Sequence, residues 1–109
     1  MANWQRAADL DEVWDGVVNK AVVADIRLIL LRQGDEIFAY DEACPHEGHP
    51  LSQGELVEDV VVCARHLWEF EIRTGRHISR IHRPQCDLKP FPVRITDGAV
   101  EVDVAGGGG

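Results

Sequence analysis

At 109 residues the chain can build one domain with a hydrophobic core, and leaves little room for a separate catalytic module. Nineteen acidic against eleven basic side chains give a formal charge of −8, which argues against a nucleic-acid surface and for partners with basic docking faces. The opening Met1-Ala2-Asn3-Trp4-Gln5-Arg6 lacks the charged and apolar regions of a signal peptide, and the apolar stretches are too short to span a bilayer, so a soluble, cytoplasmic protein without membrane contact is expected.

The first local signal is Asp9-Leu10-Asp11-Glu12-Val13-Trp14, where Asp9 can cap a single helical turn with Glu12 at its third position. Strand patterns follow. Val17 to Ala24, Ile26 to Arg32 and Glu36 to Tyr40 are short runs rich in Val, Ile and Leu, parted by Asp25 and by the turn Gln33-Gly34-Asp35. Val57 to Cys63, Leu67 to Ile72, Phe91 to Thr96 and Ala99 to Val104 continue them, with Thr74-Gly75 and Asp97-Gly98 as hairpin turns. The pattern predicts an all-β fold, a small antiparallel sandwich or barrel, forming one domain over residues 1–105. Residues 106–109 are a glycine tail with no side chains to pack, and are expected to be flexible.

Two segments break the strand pattern, Cys44-Pro45-His46 and Cys63-Ala64-Arg65-His66, separated by sixteen residues. Each pairs one soft sulfur donor with one imidazole. Zinc sites of Cys2His2 type usually draw both cysteines from one C-x2-4-C pair and both histidines from another, so mixed loops suit two unlike metal ions better. Zinc at the same four residues, as a structural or regulatory module, stays open as the alternative of a different class. A Cys44–Cys63 disulfide is also open, but would leave both histidines unexplained.

C-x-H followed by C-x-x-H resembles the Rieske family, in which two cysteines hold one iron of a [2Fe–2S] cluster and two histidines hold the other. The resemblance implies that Cys44, His46, Cys63 and His66 are cofactor and metal ligands of one Rieske-type cluster, carried on two loops of a small β fold. It extends along nearly the whole chain, from Asp9-Leu10-Asp11-Glu12-Val13-Trp14 through Cys63-Ala64-Arg65-His66-Leu67-Trp68 to Cys86 and the terminal strand. Most of all the chain resembles the ferredoxin component of toluene or alkene monooxygenases with a di-iron hydroxylase. The role so implied is non-catalytic: single electrons pass from a flavin-containing NADH reductase to the hydroxylase, through transient electrostatic contacts made by a monomer. Alternatives with the same chemistry are the ferredoxin of a ring-hydroxylating dioxygenase and the small subunit of a nitrite reductase.

Around the ligands, Trp68 is either part of the electron exit or a core aromatic. Glu47, with Glu42 and Asp87, flanks the loops and is a candidate docking carboxylate, and Pro84 lies in a segment that could cover the cluster. Cys86 resembles a non-ligand cysteine of the monooxygenase ferredoxins. His49, His77 and His82 lack ligand spacing and read as surface or hydrogen-bonding residues.

Overall fold

The computed structural model describes residues 2–42, 54–63, 69–78 and 88–105. Ile26–Gln33 carries apolar side chains at consecutive positions, the mark of a strand covered on both faces. Leu28 and Leu30 join one core with Val13, Ala21, Val23, Ile37, Ala39, Phe91, Val100 and Val102. Ile29 and Leu31 face the other way, into a second core with Tyr40, Val61, Cys63, Phe70, Ile72 and Leu88.

This strand, β3, therefore lies in a middle layer. Its sheet has the order β2-β3-β4-β8, with β2 at Val18–Val23, β4 at Glu36–Asp41 and β8 at Pro90–Phe91, every pair antiparallel. The first core is closed by a sheet of β1 (Trp4–Asp9), β10 (Ala99–Asp103) and β9 (Val93–Thr96) in the order β1-β10-β9. The second is closed by β5 (Glu55–Val57), β6 (Val60–Val62) and β7 (Glu69–Glu71), paired in sequence order. The expected all-β antiparallel architecture is the one observed.

Turns and caps explain much of the local geometry. Ala24 and Asp25 both have positive φ, 50° and 65°, in the two-residue link from β2 to β3, as do Asp97 and Gly98 at 51° and 77° between β9 and β10. Two positive φ values are what a type I′ hairpin requires. Leu10–Glu12 forms one 3-10 turn, entered through the Asp9 N–H donating to Glu12 Oε1 at 3.0 Å. Arg32 secures it: its Nη1 donates to the carbonyls of Leu10 and Val13, both at 3.0 Å, and its Nε to that of Gly34 at 2.8 Å.

Three strands differ from the expected pattern. Trp4–Asp9 gives no apolar alternation and was not anticipated as a strand; its pairing with β10 and its bulge between Arg6 and Ala8 are set by tertiary packing. Val57 to Cys63 is two strands, because Glu58 turns at φ 54° and lets Val57 pair with Val60. Phe91 to Thr96 is broken at Pro92, which has no N–H for a ladder, into the separate strands β8 and β9. Among the described residues no helix is long and apolar enough to cross a membrane.

Candidate metal centre

The run Val60-Val61-Val62 is β-branched throughout and forms the central strand of its sheet. Its last residue, Val62, pairs with Glu55 on one side and Glu69 on the other, so the chain is held from both flanks as it enters Cys63. Alternation turns Val61 and Cys63 inward. Both are buried, at 0% and 2% exposure, in the second core.

Cys63 is a free cysteine, which removes the disulfide alternative. A buried cysteine can serve merely as a small apolar side chain. What singles this one out is that it opens Cys63-Ala64-Arg65-His66 at the end of a doubly paired strand. An uncommitted sulfur in a water-poor setting fits a soft metal donor, and two sulfurs with two imidazoles fit an iron–sulfur centre of mixed ligation.

Cys44, His46 and His66, the other three expected ligands, lie outside the described residues, as do Glu47, Trp68, Pro84, Cys86, His49, His82, Asp87 and the glycine tail at 106–109. No group of three or more His, Cys, Asp or Glu able to hold a metal occurs among the described residues, where Cys63 stands without its expected co-ligands.

The frame leading to the first loop is described as far as Glu42. β4 sends Ile37 and Ala39 into the first core and Phe38 and Tyr40 toward the second. The Tyr40 hydroxyl donates to the carbonyl of Ile72 at 2.6 Å, tying the middle sheet to the segment just beyond β7. Burial pushes its phenol up to about 12, with a smaller contribution from the Glu71 carboxylate.

Two residues read differently in three dimensions than in one. Glu42, expected at the surface as a docking group, is buried at 4% exposure; Lys20 Nζ lies 4.0 Å from its Oε2, which accepts no hydrogen bond. His77, expected as a surface or hydrogen-bonding residue, is not at the surface: it is 2% exposed and packs on Phe70 with ring centroids 5.4 Å apart. Neither burial is legible locally, because each depends on a neighbouring sheet. Tyr40 was likewise missed as a tie between sheets, its only sequence signal being a hydroxyl in the otherwise apolar run Ile37-Phe38-Ala39-Tyr40.

Comparison with known proteins supplies the remaining evidence. Residues 3–92 match the Rieske [2Fe-2S] domain. The chain is similar to the ferredoxin component of the alkene monooxygenase system of Xanthobacter autotrophicus (strain ATCC BAA-1158 / Py2), with 33% identity over 92 residues, 84% of this chain and 73% of that protein. It is 31% identical to the anthranilate 1,2-dioxygenase ferredoxin subunit of Burkholderia cepacia, over 95% of this chain and 94% of that one. Among solved structures it resembles a chain in the complex of reduced oxygenase and oxidized ferredoxin in carbazole 1,9a-dioxygenase, at TM-score 0.78 and 30% identity, covering 92% of each. With the β fold, these matches establish that the chain belongs to the Rieske [2Fe-2S] family and is an electron-transferring ferredoxin rather than a catalyst.

Proposed function

We propose that this ferredoxin takes single electrons from an NADH-dependent flavin reductase and delivers them, in the cytoplasm, to the hydroxylase of a multicomponent oxygenase of the di-iron alkene or aromatic monooxygenase type. Cys44, His46, Cys63 and His66 would hold its cluster, the two sulfurs on one iron and the two imidazoles on the other. The observation that carries this assignment is the free, buried Cys63 at the end of β6, opening one of two mixed donor loops. When bound, the cluster supplies a reversible one-electron couple.

The chain's own residues do the rest. Val61, Phe70, Ile72 and Leu88 keep water from the inner side of Cys63, and the paired flanks of β6 hold its backbone in place. On the outward face of the same sheet, Glu55, Val62 and Glu69 stand side by side in register. Two carboxylates about a valine, beside a ligand position and on a chain of charge −8, favour brief encounters with a basic surface. Glu47, Trp68 and Pro84 are the further residues we assign to that contact. The domain is taken as residues 1–105, acting as a monomer.

A ring-hydroxylating dioxygenase is the second reading of the partner, favoured by the similarity to the anthranilate dioxygenase ferredoxin. Steady-state turnover separates the two. Holoprotein is added to a flavin reductase and NADH with either a di-iron hydroxylase or a Rieske dioxygenase, and product is measured with and without the ferredoxin. Ferredoxin-dependent product with the di-iron enzyme supports the first reading. Dependence only with the dioxygenase overturns it.

A further inference from the structure

Tyr40, Gly75 and Leu88 meet at one point of the second core, and each belongs to a different segment near the ligand loops. Tyr40 lies four positions before Cys44 in the chain, Gly75 follows β7 and therefore the Cys63–His66 loop, and Leu88 immediately follows residues 79–87. Their contact is unusually close. A Cβ added to Gly75 would lie 2.7 Å from Tyr40 Cε1 and 3.2 Å from both the Cβ and the carbonyl oxygen of Leu88. Carbon atoms at 2.7 Å overlap well inside their van der Waals separation, so only glycine lets the Tyr40 ring seat there.

Hydrogen bonds lock the same arrangement. The Leu88 N–H donates to the Gly75 carbonyl and the Gly75 N–H to the Glu71 carbonyl, both at 2.7 Å, while the Tyr40 hydroxyl reaches the Ile72 carbonyl at 2.6 Å. The Tyr40 ring is thus held at its edge by a backbone with no side chain and at its tip by a carbonyl of the same turn.

We propose that Tyr40, seated against Gly75 and Leu88, is a positioning residue for the cluster: it fixes the spacing between the strand that leads into Cys44 and the hairpin that carries Cys63 and His66. The inference rests on those residues being the ligands. A cluster shared between two loops is sensitive to their separation, since each loop supplies one ligand to each iron. A contact that sets the separation therefore acts on coordination, beyond its contribution to folding.

The test compares two glycine substitutions in the holoprotein. Gly75→Ala drives a methyl into Tyr40 at a residue with φ +75°; Gly98→Ala imposes the same backbone penalty at φ +77°, with nothing within 4 Å of the new Cβ. Thermal unfolding, the paramagnetic resonance of the reduced protein, the midpoint potential and the rate of bleaching by a chelator are measured for both. Gly75→Ala should bleach about tenfold faster, with altered g-values and potential, and Gly98→Ala should keep the parent's spectrum, potential and bleaching rate despite a lower melting point. Tyr40→Phe, which removes one hydroxyl and leaves the packing, should shift the same readouts in the same direction by less. Equal bleaching rates and parent-like spectra in Gly75→Ala and Gly98→Ala would overturn the proposal. If Gly75→Ala does not fold, a Tyr40→Phe protein indistinguishable from the parent in spectrum, potential and bleaching overturns it instead. A parent protein without the iron–sulfur spectrum would overturn the ligand assignment, a failure visible before any variant is made.

Discussion

Cys63 and Tyr40 show how a single side chain can be judged by what its burial commits it to. Cys63 is buried and free, so Cys63→Ser should express with the cluster lost or markedly more labile, seen as lower visible absorbance and iron content. Cys86→Ala should leave the visible and paramagnetic spectra of the parent, because in the proposed assignment the two mixed loops supply all four ligands; a bleached Cys86→Ala protein would show the ligand set to be wrong. Tyr40 makes a prediction about pH. Its phenol is raised to about 12 in the folded protein against about 10 when unfolded, so the folded state favours the protonated form. The resulting stability is fully present below pH 10 and is lost as pH rises toward about 12, an effect on the order of 2 kcal/mol. Urea titrations at pH 9 and pH 11 should show a smaller alkaline loss for Tyr40→Phe than for the parent, and equal losses would contradict the assignment.

Among the elements, the hairpin of β5 and β6 stores backbone strain at Glu58, a residue with no glycine-like freedom at φ 54°. Glu58→Gly should therefore raise stability by roughly 0.5–1 kcal/mol in denaturant unfolding, and a loss of stability would mean that the carboxylate contributes more than the turn costs. The same residue explains why this hairpin was illegible in the sequence: Val57-Glu58-Asp59-Val60 carries none of the Asn-Gly or Asp-Gly chemistry that marks a two-residue turn. Where such chemistry exists, at Asp97-Gly98, the hairpin was found. β1 was hidden for another reason, since Trp4-Gln5-Arg6-Ala7-Ala8-Asp9 owes its strand form to pairing with β10 rather than to its own pattern. The family could be read directly, because C-x-H and C-x-x-H are written in residue type and short spacing, and residues 3–92 match the Rieske [2Fe-2S] domain. Burial of Glu42 and His77 could not, being produced by the stacking of separate sheets.

The whole molecule is a three-layered β frame of charge −8 that sets Glu55 and Glu69 on either side of Val62, next to Cys63. Its association with an oxygenase should weaken as salt rises, because steering by exposed charge is screened beyond about 8 Å at physiological ionic strength. Transfer rates unchanged from low to high salt, where association limits turnover, would remove electrostatics from the account. The potential should lie near the low end of the Rieske range, about −150 mV. The sequence has no cysteine pair to bridge the two loops, and Leu67 stands where a small or hydroxylated residue would be expected, leaving the added electron less stabilised. Voltammetry near neutral pH giving a value above about +100 mV would contradict that reasoning, on the span known for Rieske centres. Most direct of all is analysis of iron, zinc and acid-labile sulfide in protein purified from iron-replete cells: the account predicts two irons and two sulfides per chain, as a [2Fe–2S] cluster requires, and one zinc with no labile sulfide would contradict it.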